Sequence, residues 1–432
     1  MSEEGEEILD QEEAKNYIAD YYEGLYQERE SNPEYQEWTN KIKDEIERIE
    51  KEMESVEAVE PITTEELNSA IKSLKRKKAT GPDEVPNEAF IEADQETREI
   101  YREVFNNITS SQVVPDEWQE GELLRMYKGK GKKGKCSNER GITLSSNVGK
   151  LYERIMNNRI KKKIKITDYQ AGGRQYTATV DHILILKELI TYAKNNKKKL
   201  HIGFLDVTKA YDKAWLDAIM YIMYKQGLKD NHWTIAKNLN KNLTAKIQTK
   251  HGHTRKINMN SIRQGGVLSV LEFGLLMDET SKDIEEEKLG IKLTETSDPI
   301  GSLLWVDDLI LAEEEDDNFQ KELDVSNHVS NKYHSEYGLS KSNVMTICYG
   351  RNKDKPQFKL GENILETTSK YKYLGYIQND KNDMKDHFKA VKGKVEAVYQ
   401  RIIALAGNTT FKNIEMESIW TNVESKIEPI IT

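Results

Sequence analysis

Two apolar runs, Gly301–Val306 and Leu309–Ala312, are separated only by Asp307-Asp308, and no other feature limits the fold of this 432-residue chain as tightly. Each run has the length of a short strand, and so close a junction leaves room for a two-residue hairpin turn. That turn would carry two carboxylates at its tip. A third acid, Asp206, lies at the end of another apolar run, Leu200–Val207 (LHIGFLDV), which reads as a buried strand. Carboxylates beside apolar strands are costly unless paired or metal-bound. If the two elements share a sheet, Asp206, Asp307 and Asp308 converge into a site for hard divalent cations with oxygen ligands. Two such ions about 4 Å apart can activate an attacking hydroxyl and stabilise a phosphoryl leaving group. An Asp-Asp pair at a hairpin tip is by itself ordinary turn chemistry; Asp206 is what turns the reading toward a site.

The rest of the chain mixes helical and strand patterns, which predicts an α+β fold with helices flanking an antiparallel sheet. Ile42, Ile46, Ile49, Met53 and Val56 are spaced as the apolar face of a helix. Pro61 ends that pattern, and Thr63 or Thr64 can cap a second helix through Leu67, Ile71 and Leu74. Lys78–Pro86 (KATGPDEVP) is turn-rich, and helical spacing resumes over Phe90–Ile108. Gly121–Tyr127 reads as a strand, Lys128–Lys135 as a basic loop, and Gly141–Leu144 as a short apolar stretch. Helices are expected near 147–164 and 179–194, and another carrying Tyr211, Trp215, Ala218 and Ile222. Tyr371–Ile377 is a strand candidate, and from Asp386 onward the pattern is helical.

Net charge is −10, which opposes nucleic-acid binding until its distribution is considered. The first 60 positions hold 21 acidic and 6 basic residues, so the remainder is mildly basic, with runs at Lys128–Lys135, Lys161–Lys165 and Lys197–Lys199. The two cysteines support neither a disulfide framework nor a zinc site. No stretch has the 18 or so consecutive apolar residues of a membrane helix, and the acidic N-terminus lacks an apolar signal core, so an intracellular location is expected.

Several segments resemble the reverse transcriptase domain of non-LTR (LINE-type) retrotransposons. Phe204-Leu205-Asp206-Val207-Thr208-Lys209-Ala210-Tyr211-Asp212 is similar to the family's first catalytic motif, Arg263-Gln264-Gly265-Gly266-Val267-Leu268-Ser269 to the second, and Trp305-Val306-Asp307-Asp308 to the aromatic-x-Asp-Asp hairpin. Their separations fit too: 58 residues from Asp206 to Gln264 and 43 more to Asp307. Ala79-Thr80-Gly81-Pro82-Asp83, Tyr127-Lys128, Asn138–Leu144, Gln170-Ala171-Gly172-Gly173-Arg174 and Tyr373-Leu374-Gly375 extend the match from about residue 60 to the C-terminus.

The resemblance implies a right-hand polymerase. It divides the chain into an acidic helical leader (1–60), fingers (61–199), palm (200–350), primer-grip region (351–385) and the start of a truncated thumb (386–432). It implies an RNA-directed DNA polymerase that joins dNTPs to a primer 3′-hydroxyl, with template RNA and a DNA primer as partners and the nucleus as its site of action. Two Mg²⁺ ions, or Mn²⁺ in their place, would be held by Asp206, Asp307, Asp308 and Val207. The dNTP would be contacted by Lys128, Arg140, Ala210, Tyr211, Gln264 and Gly265, and the primer end by Tyr373, Leu374 and Gly375. Lys341 would be the general acid for pyrophosphate. A cationic pair with one bidentate guanidinium suits a polyanionic leaving group.

The sequence also departs from the family. Trp305 replaces the usual Tyr or Phe, Gly266 stands where Asp or Cys is common, and Val270 where Pro is usual. Tyr176-Thr177 interrupts a usually small, basic stretch, and Gly338–Met345 is shorter than the family's fourth motif. Glu272 takes an ordinarily apolar position, at a cost of a few kcal/mol if buried without a partner. Three readings stay open at this point: an active polymerase, a catalytically impaired nucleic-acid-binding remnant, and a different two-metal enzyme such as a nuclease.

Overall fold

The computed structural model describes residue 3 and residues 7–27, 32–349 and 356–406, with side chains through Arg401. Helix α1 (Gln11–Leu25) starts at Asp10, whose carboxylate accepts the Glu13 N–H. Helix α2 (Gln36–Met53) buries Ile42, Ile46, Ile49 and Met53, the seam that the spacing predicts. Both lie on the body of the protein. Ala19, Tyr22, Leu25 and Tyr26 pack with Leu123, Ala245 and Ile257, while Arg255 pairs with Asp20 and Glu23 and Lys237 with Glu50. The acid of the first 60 residues is thus partly matched by cations further along the chain.

Helix α3 (Thr64–Lys72) begins with a reciprocal cap between Thr63 and Glu66. The helical pattern across 90–108 divides into α4 (Asn87–Ile91) and α5 (Gln95–Ser111), because Asp94 caps the second helix through the Thr97 N–H. Then come α6 (Asp116–Gln119), β1 (Glu120–Tyr127), β2 (Glu139–Ser145), α7 (Asn147–Lys161), α8 (Thr179–Asn195) and β3 (Lys199–Asp206). The helix expected to carry Tyr211 and Trp215 starts later. Tyr211–Lys213 form one 3₁₀ turn, and α9 spans Leu216–Lys225. Trp215 stays extended and stacks on His334, ring centroids 4.1 Å apart, a long-range contact that helical spacing does not encode.

Next are α10 (His232–Leu239), β4 (Thr244–Thr249), β5 (Gly252–Asn258), α11 (Ser269–Glu286), β6 (Ser302–Trp305), β7 (Asp308–Glu313), α12 (Asp316–Lys332) and β8 (Asn343–Cys348). The short strands β9 (Lys359–Leu360), β10 (Asn363–Ile364) and β11 (Glu366–Thr367) precede β12 (Lys370–Tyr373), β13 (Tyr376–Asn379) and α13 (Lys385–Ala406). Tyr371–Ile377, expected as one strand, is therefore a hairpin; Leu374 (φ +44°) and Gly375 (φ +88°) make its turn. The segment 407–432, expected to continue the helical region, lies outside the described residues.

The strands form two main mixed sheets flanked by helices. The first has the order β2-β1-β4-β5, with β1 and β4 parallel. It draws on two distant stretches of chain, whereas the sequence division placed 244–258 with the central segment. The second has the order β11-β8-β3-β7-β6, antiparallel except for the β11–β8 edge. Its central strand β3 is buried on both faces, which explains its unbroken apolar run. Leu200, Ile202 and Phe204 face Leu186, Leu189 and Ile190 of α8, while the opposite face meets Phe319 and Leu323 of α12. No helix among the described residues is long and apolar enough to cross a membrane.

Candidate active site

The ends of β3 and β7 bring the three acids together. Strands β3 and β7 pair so that Asp206 stands directly opposite Asp308, which places their Cα atoms about 4.5–5.5 Å apart and their side chains on one face. One correction concerns the hairpin tip. The two turn residues are Val306 and Asp307, because Asp308 already pairs with Trp305 inside the ladder. Val306 has φ +59°, a left-handed conformation that β-branched residues rarely adopt. The one-residue offset matters: it seats Asp308 on the sheet beside Asp206 and leaves Asp307 on the turn.

The electrostatics are those of carboxylates crowded together. Burial, then the neighbouring Asp307 and Asp206, push Asp308 up to about 6. Burial and Asp206 likewise raise Asp307 above the ordinary carboxylate range. The Lys341 Nζ sits 2.7 Å from Asp206 Oδ2, so the short Gly338–Met345 segment does reach the acids. Ser342 Oγ accepts the Asp206 N–H at 3.2 Å, and the Gly338 N–H donates to Asp206 O at 2.7 Å. Among the described residues, no group of three or more His, Cys, Asp or Glu side chains is placed to hold a metal ion. The residues nevertheless suit a hard divalent cation in kind: the donors are all oxygen, they repel one another, and a cationic ammonium already lies on one of them.

Around this face stand the other sequence candidates. Tyr211 packs against Phe273 with ring centroids 5.4 Å apart, and Asp307 is one of the charges acting on its hydroxyl. Val207 and Ala210 are buried just beyond β3. Lys128, whose ammonium is disfavoured by burial, feels the charges of Arg140, Lys341 and Lys209. Gln264 and Gly265 abut β2: the Thr143 N–H donates to Gln264 O at 2.9 Å. Gly265 has φ +117°, and a Cβ there would meet Thr143 O at 2.9 Å, so only glycine fits. Tyr373, Leu374 and Gly375 lie at the β12–β13 turn, and burial, with the Asp308 charge nearby, holds the Tyr373 hydroxyl well above the ordinary tyrosine range.

Several contributors escaped the sequence reading. Asp212 stood inside a quoted motif without a role. Burial pushes it up to about 6, against the pull of Lys209, Lys128, Arg140 and Lys213, so it lies within the cationic group. His182 Nδ1 is 3.1 Å from Tyr373 Oη, and its ring lies edge-on to Trp305 at 5.6 Å. Tyr371 stacks on Phe204 at 4.2 Å and donates from Oη to Lys341 O at 2.9 Å. The ring contacts of His182 and Tyr371 join residues more than 100 positions apart, with no local pattern to announce them. Glu153 could have been suspected as a charge on an otherwise apolar helical face: it pairs with Arg263 at 2.9 Å, with both buried, and accepts the Val267 N–H.

Glu272 is wholly buried. Asn240 Nδ2 donates to its Oε1 at 2.5 Å, and burial pushes its pKa up to about 8. A carboxyl raised from 4.5 stabilises the fold fully below about pH 4.5, and that contribution is lost as pH rises through about 8. Glu272→Gln is therefore expected to flatten the decline. Parent and variant should melt at similar temperatures near pH 5, with the variant higher by pH 8. Parallel melting curves across that range would rule out an ionising Glu272.

Residues 130–378 match the reverse transcriptase (RNA-dependent DNA polymerase) family. The chain is 29% identical over 187 residues to the probable RNA-directed DNA polymerase from transposon BS of Drosophila melanogaster, covering 42% of this chain and 20% of that protein. It is 28% identical over 182 residues to the retrovirus-related Pol polyprotein from type-1 retrotransposable element R2 of Popillia japonica, covering 42% and 26%. Over 164 residues it is 24% identical to the RNA-directed DNA polymerase from mobile element jockey of Drosophila melanogaster, covering 37% and 18%. The matched stretch spans about a quarter or less of the length of these relatives.

Proposed function

The chain belongs to the reverse transcriptase family, related to the enzymes of non-LTR retrotransposons, and on that premise we propose that it is an RNA-directed DNA polymerase extending a primer 3′-hydroxyl on an RNA template. The observation that carries this reading is the opposition of Asp206 and Asp308 on paired strands, with Asp307 on the adjoining turn. In right-hand terms, the β3-centred sheet is the palm, the β1–β2 sheet the fingers, and β12–β13 the primer grip. The boundaries are 1–60 leader, 61–199 fingers, 200–350 palm, 351–385 primer grip and 386–432 start of the thumb, with β4 and β5 returning to the fingers sheet. The nucleus is the site of action that the family relation favours.

Asp206, Asp307 and Asp308, with the Val207 carbonyl, would hold two Mg²⁺ ions. Those ions supply Lewis-acid activation of the primer hydroxyl and charge neutralisation at the leaving pyrophosphate. The chain's own groups do the remainder. Lys128 and Arg140 draw the triphosphate onto the fingers edge by charge and bidentate hydrogen bonding. Gln264 and Gly265, fixed against β2, border the base-pairing pocket together with Ala210. Tyr373, Leu374 and Gly375 hold the primer terminus. Lys341, whose ammonium donates to Asp206 Oδ2 at 2.7 Å, would stand beside the acids to deliver a proton to pyrophosphate.

In this reading Tyr211, packed on Phe273 beside Asp307, excludes ribonucleotides by steric contact between its ring and a sugar 2′-hydroxyl. Tyr211→Val should raise ribonucleotide incorporation relative to dNTP by about 10–100-fold, since lost steric exclusion is worth roughly 1–3 kcal/mol. An unchanged ratio would remove Tyr211 from this role.

A second reading, an impaired binding remnant, is favoured by the buried Glu272, by Val270 at a position where the family usually has Pro, and by the short Gly338–Met345 segment. Primer extension on poly(rA)/oligo(dT) with Mg²⁺ separates the two. Incorporation by the parent and none by an Asp307→Asn/Asp308→Asn variant supports the polymerase. Duplex binding without incorporation by the parent supports the remnant.

A further inference from the structure

The segment Tyr169–Gly172 lies across the back of the acidic turn. Its backbone docks on β6: the Leu304 N–H donates to Tyr169 O at 2.9 Å, and the Ala171 N–H donates to Leu304 O at 3.0 Å. Between these bonds the Gln170 side chain is 1% exposed. Its Oε1 accepts the Val306 N–H at 3.0 Å and the Gly172 N–H at 2.9 Å, while Nε2 reaches Gly274 O of α11 at 3.4 Å. Gly172 presses on the same turn; a Cβ there would lie 2.5 Å from both Val306 N and Val306 Cγ2.

The turn needs such support. A β-branched residue at φ +59° relaxes toward negative φ unless its surroundings prevent it. A relaxed Val306 would swing Asp307, the next residue, away from Asp206 and Asp308. The Val306 N–H is buried within the turn, and Gln170 Oε1 is the acceptor that satisfies it. The side chain holds the turn at one end and α11 at the other.

We propose that Gln170 is a positioning residue for polymerisation: it clamps the Val306 amide and so fixes the aim of the Asp307 carboxylate. This rests on the polymerase reading above. Gln170 does not touch substrate; its effect passes through the turn, as groups behind metal ligands commonly act.

The test compares Gln170→Met, which keeps length and apolar packing, with Gln170→Glu, which keeps an acceptor for the Val306 N–H. Three quantities are measured on the full chain: amide hydrogen exchange at Val306, Mn²⁺ binding that is lost in Asp307→Asn, and primer-extension kinetics. In Gln170→Met, Val306 should exchange at least about tenfold faster while the Leu304 and Ile310 amides keep their protection. Mn²⁺ affinity and kcat should each fall by about 10–100-fold with the dNTP KM little changed, and Gln170→Glu should recover Val306 protection and most of kcat. Unchanged Val306 exchange and Mn²⁺ affinity in Gln170→Met would overturn the proposal. So would a uniform loss of protection across the sheet with activity tracking the folded fraction. A parent that binds Mn²⁺ but incorporates nothing would defeat the polymerase reading, while exchange and Mn²⁺ binding would still decide whether Gln170 holds the turn.

Discussion

Asp307→Asn should lose at least about a thousandfold in primer extension while melting at or above the parent's temperature. The loss follows from charge. Asparagine keeps the shape of the side chain but cannot hold a divalent cation as a carboxylate does, and cation stabilisation of the transition state is worth several kcal/mol. At 1.36 kcal/mol per tenfold, about 4 kcal/mol is a thousandfold.

The gain in stability follows from the same crowding. Burial and Asp206 raise the Asp307 pKa, so its contribution to stability is full at low pH and is lost as pH rises. A neutral amide escapes that loss, and the advantage of the variant should be larger at pH 8 than at pH 5. This is the stability–activity opposition expected where like charges are assembled for catalysis. Normal incorporation by Asp307→Asn would remove Asp307 from the proposed metal site. Lost incorporation together with a lower melting temperature would mean that the residue acts in the fold instead.

The second large effect is expected at a distance from the acids. Glu153 of α7 and Arg263 are both buried and 2.9 Å apart. Arg263 also donates to Trp118 O at 2.8 Å, and Glu153 accepts the Val267 N–H at 2.9 Å. The pair therefore brackets Gln264 and Gly265, one residue before them and two after. Glu153→Ala would strand a buried guanidinium and release the Val267 amide, at a cost of roughly 3–5 kcal/mol. Replacing both partners, as Glu153→Leu with Arg263→Met, should recover most of that loss, because the penalty lies in the uncompensated charge. Thermal and urea unfolding of the three variants and the parent measure this. The double variant should remain weaker in dNTP KM, since the loop bearing Gln264 has lost its tether. Equal stability of single and double variants would mean that Arg263 finds another partner.

The buried clamps explain why the site was only partly legible in advance. Asp206, Asp307 and Asp308 could be read from the chain because acids at the ends of apolar runs break a local pattern, and local patterns are what periodicity detects. The same holds for the α2 seam and for the Thr63 cap. The exact tip of the hairpin could not be read, since Asp307-Asp308 and Val306-Asp307 are equally good two-residue junctions until β3 and β6 fix the register of β7. The Tyr371–Ile377 run looked like one strand because the aromatic and apolar residues on both sides of Leu374-Gly375 satisfy the same composition. Only the pairing of Tyr373 with Tyr376 shows the reversal.

What the sequence by itself determined is the chemistry on offer: which carboxylates end apolar strands, which cations lie near them in the chain, and the motif order that marks the family. Tertiary structure alone decided how that chemistry is aimed. Gln170 reaches Val306 across 136 positions, His182 reaches Tyr373 across 191, and Glu153 reaches Arg263 across 110. Such contacts depend on which sheet faces and helices pack together. A side chain's local spacing records whether it is buried, but not the distant group it will meet there.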